Sequence, residues 1–145
     1  MKTCKYYCSI PVRYGDLDPQ GHVNNACYLT YLEQARVGYV QELDLWDGKN
    51  FQDVGIIIAR VEVDYLIPIL MENQLHVGAA VSRLGSKSLD MIYSLEDAES
   101  REIFAKAKTI LVSYDYQSQS PRKIPDLWRA KIVEFEGISS FVDKE

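Results

Sequence analysis

The chain has 145 residues, 47% of them hydrophobic and 26% charged, which fits a globular protein and excludes a disordered, collagen-like or coiled-coil chain. Its 16 basic and 21 acidic residues leave a net charge of −5. That balance argues against a general nucleic-acid binder, while a local basic patch for one phosphorylated ligand stays open. Cys4, Cys8 and Cys27 lack Cys-x-x-Cys spacing and have only His22 and His76 beside them, so neither a disulfide framework, nor a zinc site, nor any other metal is expected. No apolar run approaches the roughly 20 residues of a membrane span, and Met1–Ile10 lacks the apolar stretch of a secretory signal. A reducing, cytoplasmic setting is therefore expected. With no repeat, low-complexity tract or linker, one domain over residues 1–145 is the expectation.

Lys5–Arg13 reads as a first strand, rich in aromatic and β-branched residues, with Pro11 near its end. A loop follows from Tyr14 to Asn25. Within it, Asp18-Pro19-Gln20-Gly21 has the residue order of a type I turn. Asn24 and Asn25 are candidate caps for a helix predicted over Ala26–Leu43, where Leu29, Leu32, Arg36, Tyr39 and Leu43 recur at helical spacing. Gly38 interrupts that helix at a cost of up to about 1 kcal/mol relative to Ala, which predicts a close approach by another backbone.

The remainder reads as strands. Gly55–Ile67 begins apolar, then alternates Val61, Val63 and Tyr65 against Arg60, Glu62 and Asp64, and stops at Pro68. Leu75–Val81 and Leu89–Leu95 alternate on either side of a turn at Gly85–Ser88. Asp97–Ser100 turns the chain into a last long strand, Ile103–Asp115, with Lys106 and Lys108 on its exposed face. Pro121–Pro125 is expected as a loop, and a short helix from Pro125 to about Phe135 closes the chain. Strands joined by tight turns give an antiparallel sheet, and a long helix must bury its apolar face against it, so the class is α+β.

One segment concentrates reactive side chains: Asp16, Asp18, His22, Asn24 and Asn25, in a loop that runs into a helix N-terminus. Such an end presents unsatisfied N–H groups and partial positive charge, which can stabilise an oxyanion formed in acyl transfer. A carboxylate beside it can act as nucleophile or activate water. Each residue also has a purely structural reading. Asp18 opens a turn, Asp16 can bind loop amides, His22 can be satisfied within the loop, and the asparagines can cap.

The stretch from Val12 to Arg36, with its Asp-Leu-Asp-Pro-Gln-Gly-His-Val-Asn-Asn string, resembles the hot-dog-fold acyl-CoA thioesterases of the 4-hydroxybenzoyl-CoA thioesterase type. Val61–Pro68, Arg83–Ser88 and Val112–Asp115 follow in the matching order, so the resemblance spans roughly residues 5–125. It implies a five-stranded antiparallel sheet wrapped around the long helix, with two chains pairing into a continuous sheet. Active sites would lie at the dimer interface, and dimers of this family often pair into a homotetramer. It implies an acyl-CoA thioesterase needing no cofactor, since coenzyme A is part of the substrate. Asp18 matches the catalytic carboxylate and Asn25 the helix-start N–H that polarises the thioester carbonyl, and His22, in the same string, is a third catalytic candidate. Whether Asp18 attacks the carbonyl or activates water stays open.

Other hot-dog thioesterases take their carboxylate from the central helix, where Glu33 stands, although Glu33 and Arg36 are spaced as a helical ion pair. The coenzyme A phosphates call for cations and hydroxyls. Arg83, Ser86, Lys87 and Ser88 are candidates, Lys87 foremost by family position, with Arg122 and Lys123 beside them. Tyr28 and Tyr31 are candidates for the acyl pocket. Cys27, in an apolar helix, reads as inert.

Three rivals keep the scaffold. An enoyl-CoA hydratase or dehydratase would want Asn where Asp18 stands and one residue fewer before His22. A non-catalytic acyl-thioester-binding dimer needs no turnover. A thioesterase for acyl carrier protein would need a local patch such as Lys87, Lys106 and Lys108 to offset the acidic net charge.

Overall fold

The computed structural model describes residues 4–138. Its elements follow the predicted order: β1 (Tyr6–Ser9), α1 (Cys27–Glu42), β2 (Ile56–Tyr65), β3 (Leu75–Leu84), β4 (Ser88–Asp97), β5 (Ile103–Asp115), β6 (Ser120–Pro121) and α2 (Asp126–Glu136). The strands form one antiparallel sheet in the order β1-β3-β4-β5-β2, with β6 added to β5. The five main strands and the enclosed helix are the hot-dog arrangement that the resemblance implies.

Three boundaries differ from expectation. β1 is four residues long, because Pro11 has no N–H to continue a ladder and the last bond in register runs from the Ile10 N–H to the Leu75 carbonyl. Tyr14–Asp16 forms a turn of 3₁₀ helix inside the segment read as loop. The loop expected from Pro121 to Pro125 starts inside β6, a two-residue strand across from Tyr114 and Asp115.

α1 is enclosed because both of its sides carry bulk. Tyr28, Tyr31, Leu32, Ala35, Tyr39 and Val40 are all buried, against Val77, Ala79, Val81, Met91, Tyr93 and Leu95 of the sheet. Each large apolar side chain so buried contributes about 1.5–3 kcal/mol, and truncating Leu32 to Ala would cost about 2–5 kcal/mol. Gly38 is packed closely, as expected, but by a side chain: a methyl group there would overlap the Tyr6 hydroxyl. The neighbour is thus the Tyr6 ring of β1, which stands edge-on to Tyr39 at 6.1 Å.

In β2 the alternation holds. Val61 and Val63 are half-buried toward α1, and Arg60, Glu62 and Asp64 are exposed. A bulge between Ile58 and Arg60 shifts its register against β5. β2 is an edge of the sheet, its second side unpaired among the described residues. On the outer face of the sheet Lys108 pairs with Asp90 at 3.2 Å.

Candidate active site

The segment from Arg13 to Asn25 is held by a buried carboxylate. Asp16, 3% exposed, accepts hydrogen bonds from the Arg13 N–H (3.1 Å), the Arg13 guanidinium (3.0 Å) and the Tyr31 hydroxyl (2.8 Å). Burial pushes its pKa up, but these bonds outweigh that and hold it below the usual carboxylate value. Burial, together with this Asp16 bond, pushes the Tyr31 phenol well above its ordinary value. Tyr31 is thus committed to this loop. The Asp16 carbonyl also accepts the Asn24 N–H at 2.8 Å, tying the loop's end to its beginning.

Asp18 makes the predicted turn. Its carbonyl accepts the Gly21 N–H at 3.0 Å, and its Oδ1 accepts the N–H groups of Gln20 (2.9 Å) and His22 (3.2 Å). Gly21 has φ +82°, a conformation that disfavours any side chain. Both structural bonds fall on Oδ1, and Oδ2 accepts no hydrogen bond among the described residues. The carboxylate is therefore oriented and still has an oxygen to use.

At the helix start, the Asn24 side chain accepts the Ala26 N–H at 2.9 Å, while the Cys27 N–H bonds the Asn24 carbonyl. Asn24 thus closes an Asx turn just ahead of the helix, and the cap position itself, Ala26, receives no side-chain bond, so neither asparagine is the predicted N-cap. The Asn25 carbonyl accepts the Tyr28 N–H (3.3 Å) and the Tyr65 hydroxyl (3.2 Å). Its own N–H has no acceptor among the described residues.

Asp18, His22, Asn25 and Tyr28 line one open cleft of about 300 Å³ with Val23, Tyr65, Leu66, Ile67 and Pro68. The structure thus unites four of the predicted site residues. Tyr65 carries no sequence signal beyond that of a strand residue. Its ring packs against Tyr28 at 4.8 Å, and its place in the cleft depends on a contact 40 residues away in sequence. A larger hollow of about 370 Å³ on the sheet's outer face, around Tyr7, Glu96 and Arg101, contains none of the predicted catalytic residues.

The remaining predicted residues lie elsewhere. Arg83, Ser86, Lys87 and Ser88 surround the β3–β4 turn. In the sheet, Ser88 is level with Val112 and Ile57, whereas Tyr65 is level with Ala105 and Leu95. The seven residue steps from Ser88 to Leu95 span about 23 Å, so within one chain this turn is at the opposite end of the sheet from the cleft. Arg83 bonds Asp90 (3.0 Å) and the Ser88 hydroxyl (2.7 Å), and the Ser86 carbonyl accepts the Ile124 N–H. Arg122 and Lys123 are exposed on the segment that follows β6, at this same end.

Glu33 is exposed and stands 3.9 Å from Arg36, outside the cleft. Cys27 is half-buried, and burial raises its thiol pKa, which suppresses the thiolate a nucleophile would need. Among the described residues no three His, Cys, Asp or Glu side chains are grouped to hold a metal, and no helix is long and apolar enough to cross a membrane.

The thioesterase-like superfamily profile matches residues 12–132. A crystal structure of a thioesterase from Thermus thermophilus, complexed with coenzyme A and zinc, superposes with a TM-score of 0.83 at 35% identity, covering 96% of this chain and all of that one. The long-chain acyl-CoA thioesterase FadM of Escherichia coli K12 is 26% identical over 127 residues, 86% of this chain and 95% of FadM. The chloroplastic acyl-acyl carrier protein thioesterase ATL3 of Arabidopsis thaliana is 26% identical over 131 residues, 87% of this chain and 66% of ATL3. With a family match across most of its length and a fold shared with thioesterases, this chain belongs to the thioesterase-like superfamily.

Proposed function

We propose that this chain hydrolyses acyl-CoA thioesters in the Asp18–Asn25 cleft, by the route of the 4-hydroxybenzoyl-CoA thioesterase type. The chain is a thioester hydrolase by its superfamily and its thioesterase relatives. The observation that carries the site assignment is an uncommitted N–H at Asn25, lining the same cleft as an oriented carboxylate at Asp18.

The thioester carbonyl oxygen accepts the Asn25 N–H. As the carbonyl carbon becomes tetrahedral, negative charge gathers on that oxygen, and the N–H at the positive end of α1 stabilises it. Asp18 Oδ2 supplies the attack in one of two ways. It takes a proton from water, whose oxygen adds to the carbonyl carbon, or it adds itself, and water then cleaves the resulting anhydride. In both cases the carbon–sulfur bond breaks, coenzyme A leaves as its thiolate and is protonated, and one water is consumed. His22 flanks the cleft, and Tyr28 and Tyr65 supply its aromatic wall.

Half of the site comes from a second copy. The exposed edge of β2, with Leu29, Ile58, Tyr65, Leu66 and Ile67 exposed beside it, is a template for antiparallel pairing with the same strand of a partner. A two-fold axis there sets the partner's β3–β4 turn at the end of the extended sheet where this chain's cleft opens. Lys87 and Ser86 then serve the coenzyme A phosphates across the interface.

The test is thiol release from acyl-CoAs of graded length, and from acyl carrier protein thioesters, by wild type and Asp18→Asn. Asn keeps an oxygen for the Gln20 and His22 amides, so folding is retained. A loss of about 10²–10⁴-fold in kcat for the variant is expected. Activity surviving the change would take the carboxylate role away from Asp18, to Glu33 or elsewhere. The ATL3 likeness makes carrier-protein thioesters the second reading, favoured if they are turned over and the CoA esters are not.

A further inference from the structure

We propose that Arg36 reads the far end of the acyl group and selects chains that carry a hydrogen-bond-accepting oxygen there. The inference rests on the thioesterase reading of the Asp18–Asn25 cleft.

Arg36 is only 7% exposed, and it has five N–H donors to satisfy. Among the described residues, one donor reaches the Tyr93 hydroxyl at 3.3 Å, and a second lies 3.9 Å from Glu33, beyond hydrogen-bond length. The Glu33 carboxylate is itself two-thirds exposed. A buried guanidinium held so loosely is unusual, because a charge withdrawn from water is expensive unless well paired. It lines a cavity of about 140 Å³ together with the apolar Leu29, Leu32, Ile58 and Val61 and the polar Thr30, Glu33 and Thr109. The Tyr93 hydroxyl also bonds Thr109 at 2.8 Å, which fixes the partner that holds Arg36 in place.

This cavity and the catalytic cleft lie on one seam. Along α1 and its start, Asn25, Leu29, Leu32 and Arg36 recur at three-to-four spacing and share a side of the helix. Along β2, Tyr65, Val63 and Val61 face the helix at every second residue, and the bulge after Ile58 keeps Ile58 on that same face. From Asn25 to Arg36 the chain rises roughly 16 Å. An acyl chain whose carbonyl sits on the Asn25 N–H, and which runs down the seam between these apolar walls, ends at Arg36. An oxygen at that end accepts from the guanidinium. A hydroxyl can also donate to Glu33, and a carboxylate forms a charge-assisted pair with Arg36.

The experiment compares matched acyl-CoAs, plain, ω-hydroxy and ω-carboxy, from short to long, with wild type, Arg36→Met and Arg36→Lys. At the length that spans the seam, the wild-type kcat/KM is expected to favour the oxygenated chains at least tenfold. In Arg36→Met that ratio should fall at least tenfold, chiefly through KM. The two oxygenated arms separate a hydroxyl-reading site from a carboxylate-reading one. A wild type that prefers plain chains at every length overturns the inference and leaves the thioesterase reading intact. So does an Arg36→Met variant that loses plain and oxygenated substrates alike, since Arg36 then serves the fold. Should Arg36→Met not fold, the wild-type panel and Arg36→Lys decide. If no acyl-CoA of any kind is hydrolysed, the thioesterase reading falls and takes this inference with it.

Discussion

The Tyr65 hydroxyl, at the end of the edge strand, donates to the Asn25 carbonyl at 3.2 Å, so the sheet holds the peptide at which α1 begins. The Asn25 carbonyl also accepts the Tyr28 N–H, so the orientation of this residue is set from two sides. Loss of the phenol in Tyr65→Phe removes a hydrogen bond worth about 0.5–1.5 kcal/mol. A fall of roughly two- to twelvefold in kcat is expected, with the ring packing on Tyr28 retained. Steady-state kinetics beside a thermal unfolding curve checks this, and an unchanged kcat would show that α1 holds Asn25 unaided.

Shared sites have a distinct signature in mixed dimers. If Asp18 of one chain works with Lys87 of the other, Asp18→Asn and Lys87→Glu proteins are each weak alone. Mixed after unfolding and refolding together, they form heterodimers in which one of the two sites is intact, and about a quarter of wild-type activity should return. If the mixture is no more active than the mean of its parts, Lys87 does not serve the partner's site.

The Asp16 carboxylate contributes stability that acid removes. Its folded-state pKa lies below the ordinary value, so its contribution is complete above that value and is lost as pH falls through the depressed one. Asp16→Asn should lower stability at neutral pH by about 1.5–3 kcal/mol, the range for hydrogen bonds to a charged group. The gap between wild type and variant should then close on acidification through the carboxylate range. Urea unfolding as a function of pH measures both, and a gap that stayed constant into acid would rule out the linkage.

Gly38 offers a test of packing. Replacing it with Ala gains about 0.5–1 kcal/mol of helix propensity but drives a methyl group into the Tyr6 ring. Overpacking costs about 1–3 kcal/mol, so a net loss is expected in Gly38→Ala, part of which Tyr6→Phe should restore by removing the overlapping hydroxyl. A Gly38→Ala protein more stable than wild type would mean that the Tyr6 ring swings away freely.

The loop of the candidate site was legible because its information is local. Asp18-Pro19-Gln20-Gly21 specifies a turn by backbone preference, Asn24 can turn the chain two residues on, and helical spacing begins at once, so the carboxylate and the helix start had to lie close together. Asn24 and Asn25 could not be told apart as caps, since either side chain can reach an N–H in the first turn. The structure gives Asn24 the Asx turn that leads into the helix, places the cap at Ala26 and leaves the Asn25 N–H open. Tyr65 was hidden because its place in the cleft depends on β2 lying beside the helix start.

Period-two alternation, turn residues and one long apolar helix determined the strands, their antiparallel pairing and the α+β class. These follow from short-range sterics and from the need to bury one face. Tertiary structure decided the strand order, which makes β2 an edge and sends the Lys87 turn to the far end of the sheet from Asp18. It also decided that Arg36, which helical spacing alone would pair with Glu33, is buried against Tyr93 while Glu33 stays exposed. Spacing along a helix says which residues share a side. What faces that side is set by chain folding over long separations, and that is where the charge of Arg36 acquires its surroundings.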